Sequence, residues 1–160
     1  MIFRLKELLV FLLSLISRKL LSLGLGFRSN KYHPLVWING EPVIGENVYI
    51  GGFTEINASN CPIQIGRNCD IASFVSINCA DSHLRCIDKT NQIDRRPIVI
   101  GDNVFVGSHS VILGGVSIGD NSVIGAGTVL AKVIIPPYSL VVGNPAVIKE
   151  GYYLQYENPS

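Results

Sequence analysis

Residues 99–133 read VIGDNVFVGSHSVILGGVSIGDNSVIGAGTVLAKV, and the spacing inside this stretch decides the fold. Ile100, Val106, Ile112, Ile118, Ile124 and Leu130 are branched aliphatics six residues apart without a miss. Gly101, Gly107, Gly119 and Gly125 each follow one of them. Two positions before each aliphatic stands a small or β-branched residue: Ile98, Val104, Ser110, Val116, Ser122 and Thr128. A helix repeats its apolar positions every three or four residues and a half-buried strand every two, so neither accounts for a period of six. A very short strand followed by a tight corner does. The aliphatic then points inward, and glycine, Asn or Asp near the corner tolerates a positive φ. Three such strands per turn make a triangular prism of stacked parallel coils, each coil burying its face on its neighbours.

The same phase extends outward in both directions. Residues 43–59 (VIGENVYIGGFTEINAS) carry it at Ile44, Ile50 and Ile56, and residues 63–78 (IQIGRNCDIASFVSIN) resume it at Ile65, Ile71 and Ile77 after a three-residue slip. From Ile77 to Ile100 the spacing is 23, not 24, and the register fails. The intervening residues 80–97 (ADSHLRCIDKTNQIDRRP) are polar, with Asp81, His83, Arg85, Asp88, Asp94, Arg95 and Arg96. A polar excursion from a regular solenoid points to function, because binding residues favour loops held on rigid scaffolds.

Composition narrows the classes. The chain has 160 residues, one domain's length, and is 48% hydrophobic and 16% charged, which excludes intrinsic disorder. Its 16 glycines show no three-residue period, which excludes collagen. A net charge of +1 supplies no global basic field for nucleic acid. Cys61, Cys69, Cys79 and Cys86 are 8, 10 and 7 positions apart with no CxxC pair, too loose for a zinc knuckle and too sparse for a disulfide scaffold. They read as buried or partly buried free thiols in a reducing cytoplasm. Cys79 lies near His83, yet nothing nearby marks its thiol as activated. No P-loop or dinucleotide fingerprint is present.

Residues 1–30 differ from the rest. Arg4, Lys6, Arg18, Lys19 and Arg28 against Glu7 alone give a net charge of +4, leaving −3 for residues 31–160. Leu5, Leu8, Leu12, Ile16, Leu20 and Leu23 make a helical stripe that Gly24 and Gly26 should end. The apolar run 8–16 is too short to cross a bilayer, which takes about 20 residues. Three uses remain open: packing on the body or on a sister subunit, an amphipathic helix on an anionic membrane through residues 1–23, or a cleaved targeting peptide. The expected organisation is an amphipathic helix and linker over 1–30, a repeat domain over 31–150 with its loop at 80–97, and a tail over 151–160.

The hexads of residues 99–133, followed by IPPYSLVVGNPA at 135–146, resemble the hexapeptide-repeat acetyltransferases. The likeness covers about 42–150 and is nearest to the branch of maltose, galactoside and xenobiotic acetyltransferases and the sugar acetyltransferases of surface-polysaccharide synthesis. It implies an all-β, left-handed parallel β-helix behind an N-terminal α-helix, a homotrimer with sites between subunits, and acetyl-CoA as donor. In such enzymes the general base is a histidine where the chain leaves the coil, and the Asp81-Ser82-His83 triplet falls there. Histidine suits the task because its ordinary pKa of about 6.5 leaves it mostly neutral near pH 7. His109, within a hexad, and His33, outside the repeat, are the competitors.

The resemblance also assigns binding positions. Asn57 matches an acceptor-sugar contact, and Asn78 and Asp81 lie near it in the coil above and at its exit. Ser108 and Ala126 match backbone positions of the pantetheine groove, with Gly107, Gly125 and Gly127 beside them for close approach. Phe105 takes the place of an aromatic by that groove, and Lys132 of a basic residue near the CoA phosphates. Two departures stand out: Ala131 replaces the threonine frequent before the lysine, and GNPAVIKE at 143–150 is one residue short of the usual GNPARVIKE. The phosphates then fall to Lys132, Lys149 or Arg67. With only His83 and His109 within the repeats, no metal site is expected. The implied activity is acetyl transfer to a hydroxyl or amino group of a sugar, free or nucleotide-linked, in surface-polysaccharide or lipopolysaccharide synthesis in the cytoplasm. The alternative is a non-catalytic hexapeptide-repeat scaffold.

Overall fold

The computed structural model describes residues 2–25, 30–87 and 90–156. Expectations that fall elsewhere, Gly26, Arg28 and Asp88 among them, lie outside the described residues. Helix α1 (Ile2–Leu25) precedes a parallel β-solenoid whose strands stack as the three walls of a prism. The first wall stacks β1 (Trp37–Gly40), β4 (Glu55–Ala58), β7 (Ser76–Asn78), β12 (Val111–Leu113) and β15 (Val129–Leu130). The second stacks β2 (Val43–Ile44), β5 (Ile63–Ile65), β10 (Ile98–Ile100), β13 (Ser117–Ile118) and β16 (Ile134–Ile135). The third stacks β3 (Tyr49–Ile50), β6 (Asp70–Ile71), β11 (Phe105–Val106), β14 (Val123–Ile124) and β17 (Leu140–Val142), and β18 (Val147–Lys149) folds back antiparallel over its end. The stacked parallel coils are those the six-residue period implies, and the helix before them is the one the leucine stripe implies.

Register explains both the rhythm and its breaks. On the first wall Ile38 pairs with Ile56, Ile56 with Ile77, Ile77 with Ile112 and Ile112 with Leu130. The step is 18 residues from 38 to 56 and from 112 to 130, which is three hexads. It is 21 from 56 to 77, where the slip falls, and 35 from 77 to 112, where the loop leaves. The aliphatic column is fully buried at Ile56, Ile77, Ile112 and Leu130, and each such side chain stabilises the fold by about 1.5–3 kcal/mol relative to exposure. The repeat also runs further than the hexads show. Ile38 begins it one strand before Ile44, and Ile135 and Val141 continue it after Leu130 through a coil one residue short, since Ile118 pairs with Ile135 and Ile124 with Val141, a step of 17.

The glycines act differently from expectation. Gly101, Gly107, Gly119 and Gly125 are not among the glycines with positive φ. They are there for space: a Cβ at Gly107 would stand 2.5 Å from the backbone nitrogen of Ala126, and one at Gly119 would collide with the backbone nitrogen of Pro137. The left-handed corners belong to Asn47, Asn68, Asn103 and Asn121, whose carboxamides donate up the coils in a ladder of 3.0–3.2 Å hydrogen bonds. At other corners Phe53, Phe74, His109, Lys132 and Tyr138 take that conformation. The small residues two before the aliphatics are buried too, and their hydroxyls are answered. Thr54 donates to the Ala72 carbonyl, and Ser110 and Thr128 donate to that of Gly125.

Three of the four cysteines are buried, and Cys86 is exposed, where buried or partly buried thiols were expected. Burial, then the neighbouring Cys61 thiol, pushes the Cys79 thiol up to about 12, which removes it as a nucleophile. A thiol-reactive chromophore should therefore label one cysteine per native chain, Cys86, and four in denaturant. Labelling of two or more at the native rate would contradict the packing of Cys61, Cys69 and Cys79.

Helix α1 runs through Gly24 and ends at Leu25, within the glycine pair at which the sequence placed its end. Its leucine stripe is uncovered: Leu12 is 47% exposed, Ile16 56% and Leu23 71%. The helix does not pack that stripe on its own solenoid. No helix among the described residues is long and apolar enough to cross a membrane.

Candidate active site

The chain leaves the prism after β7. Asn78 accepts a hydrogen bond from the Ala80 N–H at 3.0 Å, which turns the backbone outward into β8 (Ala80–Asp81). The loop returns through β9 (Asp94–Arg95), antiparallel to β8, with Ala80 opposite Arg95 and Asp81 opposite Asp94. A short helix α2 (His83–Ile87) opens the excursion. The Asp81 carboxylate accepts from the His83 backbone N–H at 3.0 Å and stands 2.7 Å from its Nδ1. Those contacts, the backbone N–H first and the imidazole second, hold the Asp81 carboxyl below its ordinary range. Such a contact is complete above the carboxyl's ordinary pKa and is lost only as pH falls through the lowered value, so it persists through neutrality.

Beside this pair lies a cavity of about 310 Å³, lined by Asn78, Asp81, Ser82, Asp94, Arg96 and Lys132 among others. Asp94 accepts from Arg96 Nε at 3.1 Å through both oxygens and pairs with Lys132 Nζ at 3.4 Å. The Arg96 contact, more than the lysine, holds the Asp94 carboxyl low. Asp94 and Arg96 were visible in the sequence only as loop charges. Their convergence depends on the β8–β9 register, which two-residue strands do not announce.

The other expected residues fall on distinct parts of the prism. Asn57 lies below Asn78 in register, and its side-chain oxygen accepts from the Ser59 N–H at 3.2 Å. Gly107, Ser108, Gly125, Ala126 and Gly127 come together on the corner between the third and first walls. There the N–H groups of Gly107, Gly125 and Gly127 donate to the Ile124, Val141 and Ser108 carbonyls. The N–H groups of Ser108 and Ala126 donate to no described residue. Beside Gly127 the space for a Cβ is open. Phe105 and Lys149 share an outward row of the third wall, through Val123 and Leu140. Lys149 also stands 5.8 Å over the Tyr152 ring. Lys132, by contrast, sits on the corner between the first and second walls, in the cavity and not with Ser108 and Ala126. Arg67 is paired with Asp102 at 2.8 Å.

The competing histidines have structural places. His109 stacks on Phe74, which stacks on Phe53, with ring centroids 4.9 Å apart in both pairs. His33 Nδ1 accepts from the Leu35 N–H at 3.2 Å, and its ring closes over Gly52. Among the described residues no three His, Cys, Asp or Glu side chains converge as a metal-ligand set.

Comparisons with known proteins agree with this fold. A family model described as the hexapeptide repeat of succinyl-transferase matches residues 43–79 and 97–132. Galactoside O-acetyltransferase of Escherichia coli (strain K12) is 39% identical over 113 residues, covering 66% of this chain and 55% of that protein. The chain thus spans about half the length of that relative. A solved galactoside acetyltransferase in complex with coenzyme A is 33% identical with a TM-score of 0.61, over 76% of this chain and 65% of that one. A hexapeptide-repeat-containing acetyltransferase from Vibrio cholerae is 30% identical with a TM-score of 0.50, over 71% of each chain.

Proposed function

We propose, since the chain belongs to the family of hexapeptide-repeat acetyltransferases, that it transfers the acetyl group of acetyl-CoA to a hydroxyl or amino group of a sugar, with His83 as general base. The observation that carries this is the Asp81–His83 pair on the excursion from the prism, with Asp81 lining the cavity. A carboxylate can only accept, so Asp81 fixes the proton on Nδ1 and leaves the lone pair on Nε2. Nε2 takes the proton of the acceptor O–H or N–H as its oxygen or nitrogen attacks the thioester carbonyl. When the tetrahedral intermediate collapses, the C–S bond breaks and the imidazolium returns the proton to the departing thiolate. The open N–H groups of Ser108 and Ala126 support a place for the thin pantetheine arm on their corner, and the complex of the galactoside relative with coenzyme A supports the donor.

The expected cofactor contacts sit on two corners and one wall of a single chain. That favours a homotrimer in which a corner of one copy faces the loop of the next. Free thiols and a CoA donor favour the cytoplasm, and the sugar branch of the family favours surface-polysaccharide or lipopolysaccharide synthesis.

Appearance of free CoA from acetyl-CoA, followed across sugars and nucleotide-linked aminosugars, tests this. Turnover on one acceptor establishes the reaction. Failure on all of them together with no calorimetric binding of acetyl-CoA returns the chain to the scaffold alternative. Asp81→Asn should lower kcat about tenfold or more, less than the 10⁴-fold seen for a buried triad carboxylate, because this pair is half-exposed. The KM for acetyl-CoA should stay put. A change in KM alone would mean that Asp81 binds substrate and does not position the base.

A further inference from the structure

We propose that helix α1 lies in the surface of an anionic lipid bilayer, its leucine face among the acyl chains and Lys6 and Lys19 at the headgroups. The inference stands on the helix and does not rest on the acetyl-transfer reading. At 100° per residue, Leu9, Leu12, Leu13, Ile16, Leu20 and Leu23 fall within an arc of about 100° that holds no polar residue. Lys6 and Lys19 stand at its two rims, each about 70° from its centre. That is the placement from which a lysine buries its stem along the apolar face and keeps its ammonium in water. The opposite side carries Glu7 and Ser14, with Phe11 among them.

Charge selects the occupant. Four basic residues and Glu7 give the helix a net +3, while residues 31–160 carry −3. An anionic surface therefore attracts the helix and repels the body, which lays the helix flat between them. A second copy of the helix fits less well. In the heptad seam made by Leu9, Leu13, Ile16, Leu20 and Leu23, the first core position, one heptad before Leu13, is Lys6. Parallel helices would also bring their Lys6 rims together. The Arg18-Lys19 step works against crossing the bilayer, because it would place two charges within the hydrocarbon core. The stripe is also available, since Leu12, Ile16, Leu20 and Leu23 are 47–71% exposed and the solenoid does not cover them.

The test is co-sedimentation of the full chain with vesicles of phosphatidylcholine alone and of phosphatidylcholine with about a third phosphatidylglycerol, at low salt and at about 0.5 M salt. Binding should need the anionic lipid and weaken at least tenfold in high salt. Lys6→Ser with Lys19→Ser should weaken it roughly 25-fold, about fivefold for each cation near the surface. Leu12→Asp with Ile16→Asp should abolish it while the circular dichroism of the solenoid and its melting midpoint stay unchanged. Equal binding to neutral vesicles, or full binding by the aspartate variant, overturns the proposal. So does absence of vesicle binding by the parent chain. If the aspartate variant then also has a smaller particle mass in light scattering, the face is covered by a second copy of the chain.

Discussion

His83→Ala is expected to lower kcat for acetyl transfer by about 10²–10⁴-fold, the range for removing a positioned general base. Stability and acetyl-CoA binding should hardly change. The His83 side chain is 47% exposed, and its charged contact among the described residues is Asp81, itself on the surface. Truncation therefore opens no cavity and strands no buried charge. The informative control is His109→Ala. His109 is the end ring of the Phe53–Phe74–His109 stack, so its loss should lower the melting midpoint and leave kcat within a few-fold. If the two variants exchanged these outcomes, the base would be on the corner and not on the loop. If His83→Ala kept more than about a tenth of the activity, proton removal by His83 would be too small a term to count as general base catalysis. Asp81→Asn gives the intermediate case, because it keeps the imidazole and removes only what fixes its tautomer.

Much of this was legible in the sequence, for a physical reason. Every coil must place an aliphatic at the same three depths, so the inward column from Ile100 to Leu130 appears as a strict period, and one long column suffices to identify a solenoid. The period fails where a corner gains or loses a residue. Ile135 and Val141 are as buried as Ile118 and Ile124, yet the 17-residue coil hides them from a six-residue count. Glycine illustrates a different limit. Its place in the hexad is plain, but whether it serves positive φ or close approach depends on what lies 18 residues further on. The structure assigns Gly107 to close approach and gives the left-handed corner to Asn103. In the site, Asp81 and His83 are neighbours in the chain and therefore readable as a pair. Asp94, Arg96 and Lys132 meet only because β8 and β9 pair and a corner of the next coil rises beside them, and no local spacing records that. The cofactor set is spread for the same reason. Resemblance matches positions along the chain, whereas Ser108 and Lys132 stand on different corners of the prism.

Ile112→Ala should be among the most damaging single truncations in the solenoid, costing about 2–5 kcal/mol through lost burial and the cavity it leaves. Ile112 is fully buried and pairs with Ile77 in the coil below and Leu130 in the coil above. Ile134→Ala, on an outward face at 78% exposure, removes a similar side chain and should cost next to nothing. For a chain of this size the difference amounts to a fall of about 5–15 °C in melting midpoint, read at one protein concentration because assembly shifts the midpoint. The position makes the result bear on function as well. Ile77 is followed directly by Asn78, which turns the chain into the loop, and Leu113 after Ile112 pairs with Asn78. The β7–β12 pair is therefore the floor from which Asp81 and His83 are aimed. In a solenoid each coil is supported only by its neighbours, so softening this floor should raise hydrogen exchange in β7 and β12 and spare β3 and β17. Activity of Ile112→Ala should fall at temperatures where the bulk of the chain is still folded, with kcat reduced before KM. Loss of activity only on global melting would mean that the loop holds its own geometry through β8 and β9, and that the prism supplies stability to the site without setting its aim.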